Sequence, residues 1–256
     1  MDGISHSDLH LAFINPETYI MARDKGQSPP SEAQSFGTAF HTALLRPNEF
    51  NQHYHVLNDT AIVQEIGGAK PRATNKYKAW YEEEMALAQG KTIITIEDAS
   101  AINSMLYRIH QKFPWLDGAC TEQIFSSNTV VQGLLTKVMV DFPDVESPYG
   151  RMVIDVKTVG TDQLNRPYVP MNSSNLWEHM LEMGYATQRQ WQAAHIDESG
   201  RLQQATLCIL KEPPYTPYLI IHGHSLIEAA TQRIYAMTAW FLLHTAPQRP
   251  AIVIMA

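Results

Sequence analysis

The sequence predicts a mixed α/β fold, on the border of α+β, with a mixed central sheet flanked by helices and an α-helical amino-terminal part. Three observations predict it. Over residues 1–115 apolar residues recur mainly at helical spacing, as Phe36, Phe40, Ala43 and Leu44 do. From Thr121 the pattern changes to short apolar runs separated by turn residues, notably "PDVESPYG". After about residue 173 helix-like and strand-like segments alternate. One domain is expected over 1–256, with 1–115 mainly helical and 116–256 the sheet core. A chain of 256 residues, 45% hydrophobic and 18% charged, can bury such a core.

In chain order, "GISHSDLHLAF" predicts a short helix capped by a serine, and "NPETYIMAR" a second with Pro16 in its first turn. "DKGQSPPSE" predicts a loop, and "SEAQSFGTAFHTALL" a third helix. "HYHVL" suggests a partly exposed strand, and "EIGGAKPRAT" a mobile loop. "NKYKAWYEEEMALAQ" and "TIEDASAINSMLYRIHQKF" predict amphipathic helices, the latter capped by Thr95. "TEQIFSSN", "TVVQGLLTKVMVDFP" and "GRMVIDVKTV" then predict a three-strand meander. A long helix over "SNLWEHMLEMGYATQRQWQAAHI" follows, then strands "QQATLCILK" and "YTPYLIIHG" and the helix "SLIEAATQRIYAMTAWFLLHT".

Composition excludes several classes. No apolar run approaches the roughly 20 residues of a membrane span, so no membrane partner is expected. The only cysteines, Cys120 and Cys208, lie outside any CxxC, which argues against a disulfide framework or a structural zinc site. A cytoplasmic location is expected. The formal net charge of −7 argues against a protein coated with nucleic acid, but not against a local basic groove.

The chemistry concentrates in "MVIDVKTVG". Residues two apart on a strand share a face, so Asp155 and Lys157 lie side by side at the end of an apolar strand. A lone D-x-K is more often a strand-end salt bridge than a site. Asp141 changes the odds, because it closes the preceding predicted strand, "LLTKVMVD". Pairing of the two strands brings Asp141 near Asp155. Two close carboxylates repel unless a cation lies between them, and carboxylates are the ligands magnesium prefers.

With these residues the chain resembles the PD-(D/E)xK nuclease superfamily, whose core is restriction-endonuclease-like. Within it the likeness is to RecB-like exonucleases, above all the exonuclease VIII nuclease domain of phage and prophage recombination systems. "GISHSDL" with "NPETY", "FGTAFHTALLRPNEF", "KTIITIEDASAI", "IDVKT" and "GYATQRQWQAA" carry the resemblance in order, from about Gly3 to Ile221. It implies metal ligation by His41, Asp141, Asp155 and the backbone carbonyl of Val156. It implies catalytic roles for Asp141, Asp155, Lys157 and Gln188, with Mg²⁺ as cofactor and Mn²⁺ as a substitute.

For Gln188 a solvated helix position remains open beside a bond to phosphate or lysine. Glu122 is read as a surface charge rather than an outer-sphere carboxylate, and Tyr185 as core filling rather than a nucleotide contact. Two departures stand out: Val140 replaces the family's proline, and Gln192 stands where a tyrosine is usual.

The implied activity is 5′→3′ exonuclease resection of linear double-stranded DNA, leaving 3′ overhangs for recombination. The implied partners are DNA ends, further copies of the chain in a homo-oligomeric ring, and a single-strand annealing recombinase. Candidate DNA contacts are Arg23, Lys70, Arg72, Lys76, Lys137, Arg151 and Arg189. The alternatives are an endonuclease or single-strand-specific nuclease of the same fold, or a catalytically silent module that binds DNA or protein.

Overall fold

The computed structural model describes residues 5–25, 32–131, 134–160, 176, 180, 183–196 and 201–245. The amino-terminal helices start where polar caps allow. In α1 (His6–Ile14) the Ser5 hydroxyl accepts from the Asp8 amide, and the Asp8 carboxylate accepts from the Ser5 amide. In α2 (Pro16–Lys25) the proline opens the helix, and the Asn15 side chain accepts the Thr18 amide. The predicted loop between α2 and the next helix falls largely outside the described residues.

Next come α3 (Glu32–Leu45), α4 (Pro47–His53) and strand β1 (Tyr54–Leu57). β1 pairs in parallel with β2 (Thr92–Thr95), and Thr95 caps α7 (Ile96–Lys112) as its sequence suggests. Between them lie α5 (Thr60–Ile66) and α6 (Asn75–Ala88). The loop expected over "EIGGAKPRAT" is corrected in part: Glu65 and Ile66 complete α5, which ends at Gly67 with φ +63°.

The segment after α5 is tied down by Asp59. Its carboxylate accepts from Arg72 Nε at 2.7 Å and from the Tyr77 hydroxyl at 2.9 Å. The hydrogen bond from Arg72 holds the Asp59 carboxyl below the usual carboxylate range, against the effect of burial. A depressed carboxylate stabilises the fold above its unfolded pKa of about 4, and that contribution is lost as pH falls through the lower folded value. Asp59→Asn is therefore expected to be less stable than the parent at neutral pH. Chemical denaturation should show the gap narrowing only below about pH 4, and a constant gap down to pH 2 would refute the linkage.

The predicted three-strand meander is four strands: β3 (Gln123–Val131), β4 (Leu134–Val140), β5 (Phe142–Ser147) and β6 (Gly150–Val159). β3 and β4 form one antiparallel pair. β5 begins a four-stranded sheet of order β5-β6-β7-β8, with β7 at Gln203–Leu210 and β8 at Pro217–Ile221. β6 and β7 are parallel in continuous register from Met152↔Gln203 to Val159↔Leu210, and the other two pairings are antiparallel. Parallel neighbours need a crossover, which here includes α8 (Tyr185–Ile196). The amino-terminal half of the predicted long helix lies mostly outside the described residues. Gly184, with φ +70°, immediately precedes α8. The last element is α9 (His224–Thr245).

The sheet is covered on both faces, and β6 shows how. Met152, Ile154 and Val156 pack with Phe40 of α3 and Ile102, Met105 and Ile109 of α7. Val153 points the other way, into a cluster with Leu9 of α1, Trp191 of α8 and Met237 and Phe241 of α9. Strand period 2 therefore puts Asp155 and Lys157 on the α1–α8–α9 face. Among the described residues no helix is long and apolar enough to cross a membrane.

Candidate metal and phosphodiester site

Asp141 occupies the single position between β4 and β5, where the chain passes from the two-stranded sheet to the four-stranded one. The next residue, Phe142, pairs with Ile154, so the antiparallel register carries Asp141 toward the Asp155–Val156 end of β6. The Val156 amide donates to Asp141 Oδ2 at 2.7 Å, which fixes that carboxylate beside the strand. Both aspartates are nearly inaccessible, at 5% and 2% exposure. Burying charges costs several kcal/mol each unless they are paired, so the partners decide what this cluster is.

Asp155 is well supplied. The Lys157 ammonium lies 2.7 Å from its Oδ2, in an ion pair whose direction leaves that oxygen without an aligned hydrogen bond. Gln192 Nε2 donates to Oδ1 at 2.9 Å and to the Met139 carbonyl at 3.0 Å. Behind Gln192, Arg189 Nη1 donates to the Gln192 Oε1. Burial pushes the Asp155 pKa up, but Lys157, Arg189 and the Gln192 hydrogen bond outweigh it and hold the carboxyl below its ordinary value. Asp141 behaves oppositely. Burial and the neighbouring Asp155 raise it, against His41, Lys157 and the Val156 amide. Lys157 is held above the ordinary lysine range, because the two aspartates overcome the effect of burial. The pair thus shifts in opposite directions, Asp155 toward its ionised form and Asp141 away from it, and an additional cation beside Asp141 would oppose that upward shift.

His41 sits on α3 with Nδ1 4.0 Å from Asp141 Oδ2. α3 can come this close because Gly37, one turn earlier, lies against β6. A Cβ there would be 3.3 Å from Thr158 Oγ1. Glu122 is a correction to the surface reading. Its side chain is only 8% exposed and ion-paired with Arg46, and its amide donates to the Asp141 carbonyl at 2.8 Å. Glu122 thereby braces the turn that carries Asp141. Tyr185 is half-buried and packs against the Val159–Cys208 cluster, with its ring 5.3 Å below the Lys157 ammonium.

The helix glutamine is where the sequence was least informative. Gln188 is half-buried, and among the described residues its side chain makes no hydrogen bond. Gln192, one turn further on, is the residue that reaches Asp155. Arg189 is corrected as well: a candidate DNA contact by sequence, it is fully buried. Burial lowers its pKa to about 10, with Asp155 and Asp141 opposing the shift. Tyr185, Arg189 and Gln192 recur at i, i+4 and i+7, a helical stripe that marks the face turned to the sheet. Of the other basic candidates, Arg72, Lys76 and Arg151 are ion-paired with Asp59, Glu65 and Asp144. Lys70 and Lys137 are exposed, and the side chain of Arg23 lies outside the described residues.

The donor set suits a hard divalent cation: two carboxylates, one with an oxygen free of aligned hydrogen bonds, and an imidazole beside the other. Among the described residues no three His, Cys, Asp or Glu side chains are gathered around a single point, so ligation by three of them would require side-chain shifts.

No family model matches the chain, and no curated protein matches it significantly. Solved structures resemble it distantly, two of them as follows. A protein from Eubacterium rectale named "Putative exonuclease" shares 12% identity at a TM-score of 0.49, over 94% of this chain and 83% of that one. The protein SSO0001 shares 15% identity at a TM-score of 0.27, over 83% of this chain and 94% of that one. At such distance neither likeness brings its chemistry with it. The fold itself is mixed α/β, with its buried acid–base cluster at the end of β6.

Proposed function

We propose that this chain is a divalent-metal-dependent nuclease that hydrolyses phosphodiester bonds in DNA. The observation that carries this reading is the meeting of Asp141, Asp155 and Lys157 toward the carboxyl end of β6, with His41 beside Asp141. Asp141 and Asp155 would hold the ion, with His41 and the Val156 carbonyl as further donors. A bound Mg²⁺ or Mn²⁺ would supply a Lewis acid that polarises the phosphoryl oxygen and acidifies a water. Lys157 orients the attacking water or neutralises charge that develops on the phosphoryl group. Tyr185 and Asp155 restrict the ammonium to that position.

The finer reading rests on the motif order in the sequence. It is a 5′→3′ exonuclease on linear duplex DNA that leaves 3′ overhangs, works as a homo-oligomeric ring and serves an annealing recombinase. A ring reconciles a net charge of −7 with DNA binding, because only the channel need be basic. The test is end-labelled linear duplex against closed circular DNA, with Mg²⁺. Linear DNA should be degraded from its 5′ ends, and Asp155→Ala should abolish this. Cleavage of the circle would favour the endonuclease alternative. Manganese titration without heat, together with intact DNA, would favour a silent binding module.

A further inference from the structure

Glu122 is strained as well as buried. Its backbone sits at φ +45°, in the left-handed region that a glutamate rarely adopts. Such strain persists only where surrounding bonds over-determine it, and it gathers at functional sites. Three bonds hold the turn here. The Glu122 amide donates to the Asp141 carbonyl at 2.8 Å, one step beyond the Gln123↔Val140 pairing of β3 and β4. The Glu122 carboxylate is ion-paired with Arg46 Nε. The hydroxyl of the preceding residue, Thr121, donates to the Leu45 carbonyl at 2.8 Å.

These bonds join two elements that each carry a site residue. Leu45 is the last residue of α3, whose final carbonyls lack intrahelical donors, so Thr121 closes that helix end from outside. His41 lies one turn earlier on the same helix. Asp141 lies at the other end of the bridge, in the single position between β4 and β5. His41 Nδ1 and Asp141 Oδ2 are 4.0 Å apart, beyond hydrogen-bond reach. Their spacing is therefore set by how α3 is fastened to the Asp141 turn, not by a bond between the two side chains. The Glu122 carboxylate is taken by Arg46, and among the described residues it joins no cluster of three His, Cys, Asp or Glu side chains.

We propose that Arg46, Thr121 and Glu122 form a strut that sets the spacing of His41 from Asp141, which makes Arg46 and Glu122 positioning residues for the divalent cation. The cation rests on the metal-dependent nuclease reading, whereas the strut rests on the bonds alone. Loss of the ion pair lets the turn relax from its left-handed φ, and Asp141 moves with it through the amide–carbonyl bond. Ligands held less firmly bind an ion more weakly, and partners that only orient ligands change metal affinity by about 10–100-fold.

The test begins with Arg46→Met in the whole protein. Arg46 is exposed, and among the described residues its ion pairs are with Glu49 and Glu122. In chelator, amide hydrogen exchange should quicken about tenfold at Glu122 and at Val156, whose amide reports on the Asp141 carboxylate, while α9 amides keep their rates. Calorimetry should show Mn²⁺ bound about tenfold more weakly. With Mg²⁺ in excess, kcat should stay within about twofold of the parent while the metal concentration for half activity rises. Arg46→Lys keeps a charge for the carboxylate and should restore most of the affinity. Glu122→Gly and Glu122→Ala separate positioning from stability. Glycine adopts the left-handed φ without strain, so Glu122→Gly should melt higher than Glu122→Ala, yet both should bind Mn²⁺ equally weakly. Affinity that instead follows melting temperature across these variants would reduce the bonds to a structural role and overturn the proposal. A loss of affinity in Glu122→Gly that Arg46→Met does not share would make Glu122 a ligand, with the same consequence. Unchanged exchange at Glu122 and Val156 in Arg46→Met overturns the strut whatever happens to DNA. Quickened exchange in a protein whose parent takes no Mn²⁺ or cuts no DNA keeps the strut and sinks the metal-dependent nuclease reading alone.

Discussion

Lys157→Met should lose nuclease activity by about a thousandfold or more while still binding divalent metal, an outcome that separates catalysis from ligation. The lysine is the nearest positive charge to Asp155, and its charge also acts on Asp141. Methionine fills a similar volume beside Tyr185 but leaves two buried carboxylates facing each other. Breaking a buried pair in this way costs on the order of 3–5 kcal/mol, because one charge is left uncompensated. A divalent cation restores positive charge between the same carboxylates, so the variant should be destabilised in chelator and recover most of its melting temperature with Mg²⁺ or Mn²⁺. Asp155→Asn should do the reverse, losing both activity and the metal-dependent rise. Calorimetry and end-labelled DNA cleavage on the same preparations decide the matter. Undiminished cleavage by Lys157→Met would remove the lysine from the mechanism, and an unchanged metal response in Asp155→Asn would remove the aspartate from the ion.

The sequence made part of this arrangement legible for simple reasons. Strand period 2 put Asp155 and Lys157 on one face, and they are 2.7 Å apart. Asp141 was expected near Asp155 through a hairpin, and it is near, but by another route. Its own strand, β4, pairs with β3, and the hairpin partner of β6 is β5. β5 was hidden because "PDVESPYG" reads as a turn. Pro143 is tolerated because β5 is an edge strand and its register shifts between Phe142 and Val145. Gln192 and Arg189 were hidden for a different reason. Helical spacing marks a stripe, but only tertiary packing says which member of the stripe ends opposite a carboxylate. The buried arginine is the extreme case, since a charged side chain in a polar-looking helix is ordinarily assigned to solvent.

That helix carries the second large effect. Gln192 donates to Asp155 Oδ1 and the Met139 carbonyl and accepts from Arg189. It therefore ties three elements together: β6, β4 and α8. Gln192→Leu keeps the volume and removes every one of these bonds. Arg189, already without partners at Nε and Nη2, would then be a fully buried guanidinium with no hydrogen bond among the described residues. The expected loss is about 3–5 kcal/mol of stability, measurable by urea unfolding. Arg189→Met alone should also destabilise, by removing the charge that helps keep Asp155 ionised. The double variant should cost clearly less than the two losses added, because replacing both partners leaves no orphaned guanidinium. Additive losses would mean that the two side chains act independently. The Asp155 carboxyl supplies a second readout: with Gln192 and Arg189 both replaced its pKa should rise, since burial is then opposed by Lys157 with less help.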